Sequence, residues 1–249
     1  MKGIILAGGE GTRLHPLTKT TSKQLLPVYD KPMIYYPLNT LLSAGVKDIL
    51  IIVAPKHAGD FLNLLGSGRK FGANFTYEIQ DKPGGLAQAF IIGEHFIGED
   101  NVAMILGDNI FEDDFSEDIK NFKGGGKIFA KKVSDPERFG VVKIGENPPA
   151  GGVAEKIVEK PKKWLSDYAV TGLYLYDKRV VSAAKKLKPS KRGELEIVDL
   201  HNWYLKKGEL KVRRVEGEWI DCGTFESLLA AQVLAKEKLR HKFVYPERS

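Results

Sequence analysis

Apolar positions in the first half of the chain fall in short unbroken runs separated by stretches with helical spacing. Ile4-Ile5-Leu6-Ala7, Asp48 to Ala54, Phe75 to Ile79 and Val102 to Leu106 read as strands, and the runs without polar interruption are those expected of strands buried on both faces. Pro37 to Ala44 predicts a helix closed by Gly45, a residue suited to the left-handed position after a helix end. Phe61 to Leu65 predicts a second short helix. Leu86 to His95 predicts a third, just after Gly84-Gly85. Strand–helix alternation with short connections predicts an α/β fold, a Rossmann-like, mostly parallel mixed sheet flanked by helices.

The pattern shortens in the middle. Lys127 to Val133, Gly140 to Ile144, Ala154 to Glu159 and Tyr168 to Tyr176 read as strands, with Pro148-Pro149 marking a surface turn between Gly145 and Gly152. Val180 to Leu187 and Ile197 to Lys207 read as helices, Leu210 to Arg214 and Glu218 to Ile220 as strands, and Phe225 to Lys238 as a long amphipathic helix before a polar tail. Neither a repeat nor a linker interrupts the chain. One domain, residues 1–249, is expected, with a nucleotide-binding first half and a sugar- or substrate-binding second half.

Composition narrows the chemistry. The chain has 249 residues, 43% hydrophobic and 28% charged, ordinary for a globular protein with ample core. Its single cysteine, Cys222, excludes an internal disulfide and a cysteine-based zinc cluster. The five histidines show no pair at helical metal spacing. The apolar start is too short for a signal-peptide core, and no apolar run reaches transmembrane length, so a cytoplasmic protein with no membrane partner is expected. The net charge is +6, but the lysines are scattered. Without a basic helix, zinc spacing or aromatic RNA-binding motif, solvated lysines and an anionic small substrate explain the charge better than nucleic acid does.

The densest chemical signal is Gly8-Gly9-Glu10-Gly11-Thr12-Arg13, directly after the first strand. Glycines let backbone N–H groups approach a phosphate, and arginine offers a fixed fork to phosphate oxygens. Lys23 follows in Ser22-Lys23-Gln24. The loop is not a P-loop, because no Gly-Lys-Ser/Thr triplet occurs at the required spacing. It also departs from the dinucleotide fingerprint, with Leu14 at the third glycine position and Pro16 where a helix would open.

Ligands of open α/β sheets sit outside the carboxyl ends of the strands. Asp108 stands there after Val102 to Leu106, as a candidate Mg²⁺ carboxylate or a turn or cap aspartate. Asp221, before the last long helix, is a second magnesium candidate or that helix's cap. Gln80 could offer donor and acceptor to a base edge, with Gly84-Gly85 beside it, or belong to an ordinary polar loop.

Taken in order, further blocks complete a pattern. Gly8 to Arg13, Ser22-Lys23-Gln24-Leu25-Leu26-Pro27 and Leu106-Gly107-Asp108-Asn109 resemble the sugar-phosphate nucleotidyltransferases. Asp30 to Tyr36, Gly85 to Ala89, Asp135 to Gly140, Glu159-Lys160-Pro161, Tyr168 to Tyr174 and Arg192 to Ile197 extend the likeness to about Thr224. They resemble the subgroup that uses dTTP and glucose 1-phosphate. The resemblance implies the nucleotidyltransferase fold and a homo-oligomer. It implies that Leu6, Gly8, Gly9, Gly11, Thr12, Arg13, Gln80, Gly85 and Asp108 bind nucleotide, with Lys23 at the reacting phosphate. Gly140, Glu159, Lys160, Val170, Tyr174 and Trp219 would hold the sugar phosphate, and Asp108 and Asp221 would hold Mg²⁺. Arg13, Lys23, Asp108 and Asp221 would carry the catalysis. The implied products are dTDP-glucose and pyrophosphate. UTP in place of dTTP is the near alternative, and a silent nucleotide-sugar-binding regulator the distant one; the four intact catalytic positions argue against the latter. Phe139 and Cys222 depart from residues common in the family, as does Gly84, where longer relatives carry an acidic residue. The chain ends at Ser249, before the extra helices with which longer members form a regulatory nucleotide site, so the resemblance does not extend to that site.

Overall fold

The computed structural model describes residues 1–9, 11–145, 152–239 and 243. The Pro148-Pro149 turn and most of the tail lie outside the described residues. Strands β1 (Lys2–Ala7), β2 (Pro27–Val28) and β3 (Lys31–Pro32) precede helix α1 (Tyr35–Ser43). Then come β4 (Asp48–Val53), α2 (Ala58–Leu65), β5 (Asn74–Ile79), α3 (Gln88–Ile92), α4 (Glu94–Ile97), β6 (Val102–Leu106), β7 (Asn109–Phe111) and α5 (Ser116–Lys120). Strands β8 (Gly126–Lys132), β9 (Gly140–Ile144), β10 (Gly152–Glu159) and β11 (Tyr168–Tyr176) lead to α6 (Arg179–Ala184) and α7 (Ile197–Leu205). The chain closes with β12 (Leu210–Arg214), β13 (Trp219–Asp221), α8 (Phe225–Leu234) and a wide π turn, Ala235–Leu239.

Two compact units divide the chain, and neither is contiguous. Unit 1 is Met1–Pro83, Ala103–Asn121 and Gly217–Ser249; unit 2 is Gly84–Val102 and Phe122–Glu216.

Unit 1 contains the strand order β5-β4-β1-β6. Strands β1 and β4 pair in parallel, Ile5 opposite Ile51, and β4 pairs in parallel with β5. Ile4, Ile5 and Ile49 to Val53 are fully buried, as their unbroken apolar runs require between two covering layers. Strands β13 and β7, distant in sequence, pair as a separate antiparallel two-stranded sheet, with Asp221 opposite Asn109.

Unit 2 contains the order β11-β8-β12-β10-β9. Only the β12–β8 pair is parallel among its registered pairings; β11–β8, β10–β12 and β10–β9 are antiparallel. The parallel character expected of the sheet thus resides in unit 1. Alternation returns in unit 2, where Leu210 and Val212 of β12 are buried and Lys211 is exposed, the signature of a half-covered strand.

Three helical expectations need correction. The helix expected from Leu86 to His95 is two short helices separated at Gly93. The helix expected to run to Leu187 ends at Ala184. The last helix is not amphipathic: it buries Leu228, Ala231 and Leu234 but exposes Phe225, Leu229 and Val233. Among the described residues, no helix is long and apolar enough to cross a membrane.

Candidate active site

The glycine loop leaves the end of β1 and closes at once into a 3-10 turn, Thr12–Leu14, whose Leu14 side chain is fully buried. Gly11 sits in the left-handed region at φ 63°, and a Cβ there would come within 3.0 Å of Lys23 Cβ and Thr18 Cγ2. Only glycine meets both demands. Thr18 Oγ1 donates to the Gly11 carbonyl at 2.7 Å, which fixes the far side of the loop. Gly8 is needed for a different reason, because a Cβ would lie 2.6 Å from Gln80 Oε1. The buried Gln80 amide therefore lies directly across Gly8. A cavity of about 520 Å³ opens here, lined by Gly8, Gly9, Thr12, Ser22, Gln80 and Pro83 among others.

Lys23 and Asp108 form a hydrogen-bonded ion pair, their side chains only 10% and 16% exposed. Burial alone would lower the Lys23 pKa, but the Asp108 carboxylate, with a contribution from Asp221, outweighs it and holds the ammonium above its ordinary value. Burial would likewise raise Asp108, but the charge and hydrogen bond of Lys23 hold the carboxyl below the usual carboxylate range. Asn109 Nδ2 donates to Asp108 Oδ1 at 3.1 Å, and Trp219 Nε1 donates to Asn109 Oδ1 at 2.6 Å. The Cys222 amide donates to the Asp108 carbonyl at 2.9 Å. A short relay, Trp219 to Asn109 to Asp108, therefore orients the carboxylate.

Asp221 lies across the β13–β7 register from Asn109, beside Asp108 in sequence. A Cβ at Gly223 would stand 2.6 Å from Arg13 Nη2 and 3.3 Å from Asp221 Oδ1, which places the Arg13 guanidinium against the Asp221 turn. The helix-cap alternative fails for both aspartates, whereas Asp108 does sit in the turn between β6 and β7, the other alternative named for it. Thr224 caps α8 through the Ser227 amide, and Asp108 precedes a strand. Cys222 is buried with Leu14, Val28 and Ile110, and burial pushes its thiol well up, as expected of a packing residue. Among the described residues, no three His, Cys, Asp or Glu side chains converge to hold a metal ion on protein donors alone.

Leu6 is buried in β1 of unit 1, and the remaining site candidates lie in unit 2. Gly140 pairs with Glu159 across β9 and β10. A Cβ at Gly140 would meet Val198 Cγ2 at 3.0 Å and Glu159 Oε2 at 3.3 Å, with Val170 Cβ at 4.0 Å. Gly140, Glu159 and Val170 are thus brought together, backed by α7. Lys160 takes a left-handed backbone, φ 42°, with its amide on the Phe139 carbonyl at 3.0 Å. A strained residue of this kind persists where its surroundings fix it. Its ammonium lies 3.9 Å from Glu159 Oε1.

Arg192 was not singled out by sequence reasoning, although the block containing it was. Its guanidinium binds Glu196 at 2.9 Å and lies 3.7 Å from both Glu159 and Glu194. Burial raises the Glu159 carboxyl, and Glu196 and Glu194 add to this against the opposing charges of Lys160 and Arg192. Tyr174 packs its ring 5.2 Å from that of His201, whose Nδ1 meets the Tyr176 hydroxyl at 2.5 Å. Gly85, at φ 94°, belongs to unit 2 by contact: a Cβ would stand 2.4 Å from the Leu195 carbonyl oxygen. Leu195 N donates to the Gly84 carbonyl at 2.8 Å. The glycine pair is thus zipped to the Arg192–Ile197 segment.

A sequence model of the nucleotidyl transferase family matches residues 2–238. The chain is 56% identical over 235 residues to the glucose-1-phosphate thymidylyltransferase of Neisseria meningitidis, covering 92% of this chain and 80% of that protein. It is 52% identical over 236 residues to the enzyme of the same name from Mycobacterium tuberculosis, covering 93% and 81%. A solved structure from Bacillus anthracis, assigned as a glucose-1-phosphate thymidylyltransferase and holding sucrose, superposes with a TM-score of 0.88 at 51% identity over 95% of this chain and 96% of that one. A UDP-glucose pyrophosphorylase with UDP-glucose superposes with a TM-score of 0.83 at 25% identity, over 95% and 98%.

Proposed function

The chain belongs to the nucleotidyl transferase family, and from that premise we propose that it transfers the deoxythymidylyl group of dTTP to α-D-glucose 1-phosphate, releasing pyrophosphate and dTDP-glucose. The likeness to named thymidylyltransferases supports the substrates. The observation that carries the reading within the molecule is the buried Lys23–Asp108 pair beside the glycine loop. A cation and a carboxylate held together in a site otherwise built for phosphate can part when phosphates arrive.

The nucleophile is a sugar phosphate oxygen, already ionised because a phosphate monoester has its second pKa near ~6. No general base is required. The barrier lies in bringing two anions together and in stabilising the leaving pyrophosphate, so positioning and positive charge supply most of the catalysis. Backbone N–H groups of Gly8 to Thr12 hold the nucleotide phosphates. Arg13 and Lys23 stabilise charge at the α-phosphorus, and the Gln80 amide reads the base edge. Glu159 orients the sugar while Lys160 holds its phosphate, with Gly140, Val170 and Tyr174 shaping that pocket. Trp219 acts through Asn109 to hold Asp108.

We assign Mg²⁺ to Asp108 and Asp221. Two carboxylates without a third donor fit an ion that completes its shell with water and substrate phosphate, rather than one needing an all-protein cage. When bound, it supplies electrophilic charge to the phosphoryl oxygens. Asp108 and Asp221 would hold the ion, and the Lys23 ammonium would hold phosphate.

The likeness to UDP-glucose pyrophosphorylase supports UTP as a second reading. One methyl group separates the two bases, worth only ~1–3 kcal/mol of discrimination. Pyrophosphate release with glucose 1-phosphate, comparing dTTP, UTP, ATP and GTP, tests both. Release with dTTP well above UTP supports the first reading, and equal release the second. No release with any nucleotide overturns both.

A further inference from the structure

The cavity over the glycine loop contains side chains that the reaction above does not use. Its wall includes His15 and Lys19, just beyond the loop, and Lys56 and His57, from the 3-10 turn after β4. Among the described lining residues, Asp81 is the one carboxylate. Lys56 Nζ donates to the Lys19 carbonyl at 3.1 Å, so its ammonium is held at the rim by the other stretch of chain. His57 Nδ1 lies 3.2 Å from Asp60 Oδ2.

Charge accounting gives this wall its meaning. At the reaction centre two cations, Arg13 and Lys23, stand with two carboxylates, Asp108 and Asp221. Their formal charges cancel. Without the Mg²⁺ assigned to its carboxylates, that centre can polarise a phosphate but offers no net attraction to a triphosphate. The positive surplus lies instead in the cavity wall, which the same lining shares with Gly8, Gly9 and Thr12, whose backbone would hold the phosphates.

We infer that Lys19 and Lys56, with His15 beside them, form an anion site for the terminal phosphates of the nucleotide and for the pyrophosphate that departs. The inference rests on the reading that the Gly8–Thr12 loop holds a triphosphate. The wall draws the tetra-anionic substrate in, and it offsets the charge of the leaving pyrophosphate. Lysines exposed at a rim suit this role, since they can release the product again.

The test uses Lys19→Ala, Lys56→Ala, the double variant and Lys56→Arg. Both lysines are exposed, so none of these changes opens the core. Each alanine should raise the KM for dTTP and weaken inhibition by pyrophosphate about tenfold, the loss expected of one charge-assisted hydrogen bond. The KM for glucose 1-phosphate should stay unchanged, Lys56→Arg should restore most of the affinity, and the double variant should lose much of the salt dependence of dTTP binding. Calorimetric titration of the free protein with inorganic pyrophosphate reads the same site without turnover. Unchanged pyrophosphate affinity in the double variant overturns the inference. Pyrophosphate binding that is weakened in the double variant, beside a wild-type protein that turns over no nucleotide, would sustain the anion site while refuting the proposed reaction.

Discussion

The two units balance the charges of their candidate site residues in opposite ways. In unit 1 the cations stand against carboxylates, Lys23 on Asp108 and Arg13 beside the Asp221 turn, and within the Lys23–Asp108 pair each partner holds the other ionised. In unit 2 three carboxylates, Glu159, Glu194 and Glu196, crowd one guanidinium, and Glu159 is pushed upward. Deeper in unit 2, Tyr176 meets the neutral His201, while Tyr204 donates to the buried Asp177 carboxylate, which Arg179 also binds. The Arg13, Lys23, Asp108 and Asp221 cluster of the nucleotide side is thus balanced in charge before substrate arrives. The sugar side keeps excess carboxylate, suited to accepting hydroxyl hydrogen bonds.

The largest test breaks the balanced cluster. Asp108→Asn or Lys23→Met should lower the rate of pyrophosphate release by roughly 10²–10³, the scale of losing one electrostatic stabiliser. Lys23→Met should also cost about 3–5 kcal/mol, because it strands a buried carboxylate. Pairing it with Asp108→Leu should return most of the stability, read by urea unfolding, without returning activity. Recovery of both would mean that the pair is structural only.

Acid separates the units next. Burial pushes the His201 pKa down to about 3. The folded protein keeps it neutral while the unfolded chain takes up a proton below its ordinary value of 6.5. Stability therefore falls as pH drops from 6.5 towards 3, by about 1.4 kcal/mol per unit at most. Asp108 acts lower, because its depressed carboxyl gives stability that is lost only as pH falls beneath the ordinary carboxylate range. His201→Gln should flatten the urea midpoint between pH 6.5 and 4.5, whereas Asp108→Asn should leave that interval unchanged. An equally steep His201→Gln profile would place the acid sensitivity elsewhere.

Removing a carboxylate should have opposite stability effects in the two units. Glu159→Gln relieves the repulsion from Glu194 and Glu196, so the melting temperature should rise by about a degree or two at pH 7 and not at pH 4. Its KM for glucose 1-phosphate should rise about tenfold if the carboxylate accepts a sugar hydroxyl. A lower melting temperature at pH 7 would show that Arg192 and Lys160 outweigh the crowding.

What could be read along the chain was whatever local pattern encodes. The buried runs of β1, β4 and β6 have no polar residue to misplace. Gly8 to Arg13 announces itself through glycine density at a strand end, and Asp108 through its place after β6. The nucleotide-binding half was expected to be contiguous, yet Trp219 and Asp221 belong to unit 1, whereas Gly85 belongs to unit 2. The Trp219–Asn109 bond joins residues 110 positions apart, and no periodicity carries such a pairing. His201 looked like any lone histidine on a helix. Its burial follows from Tyr174 and Tyr176 on β11, which sequence spacing does not link to α7. The split at Gly93 was missed because the apolar spacing continues across it.

The smallest test asks what positions Asp221. Helix α8 begins with Thr224, whose Oγ1 accepts from the Ser227 amide at 3.2 Å while Ser227 Oγ accepts from the Thr224 amide at 3.0 Å. Thr224→Ala should cost about 1 kcal/mol, a drop of ~2–4 °C in melting temperature for a chain of this size. Asp221 lies three residues before that cap, but it is held from the other side, by the β13–β7 register opposite Asn109 and by the Cys222 amide on the Asp108 carbonyl. Fraying the first turn of α8 should therefore leave kcat within about threefold of wild type, a change below ~1 kcal/mol. A loss as large as that of Asp108→Asn would reverse the assignment. It would make the helix start, and not the strand pair, the element that sets the second carboxylate, and unit 1 would then owe part of its charge balance to a cap.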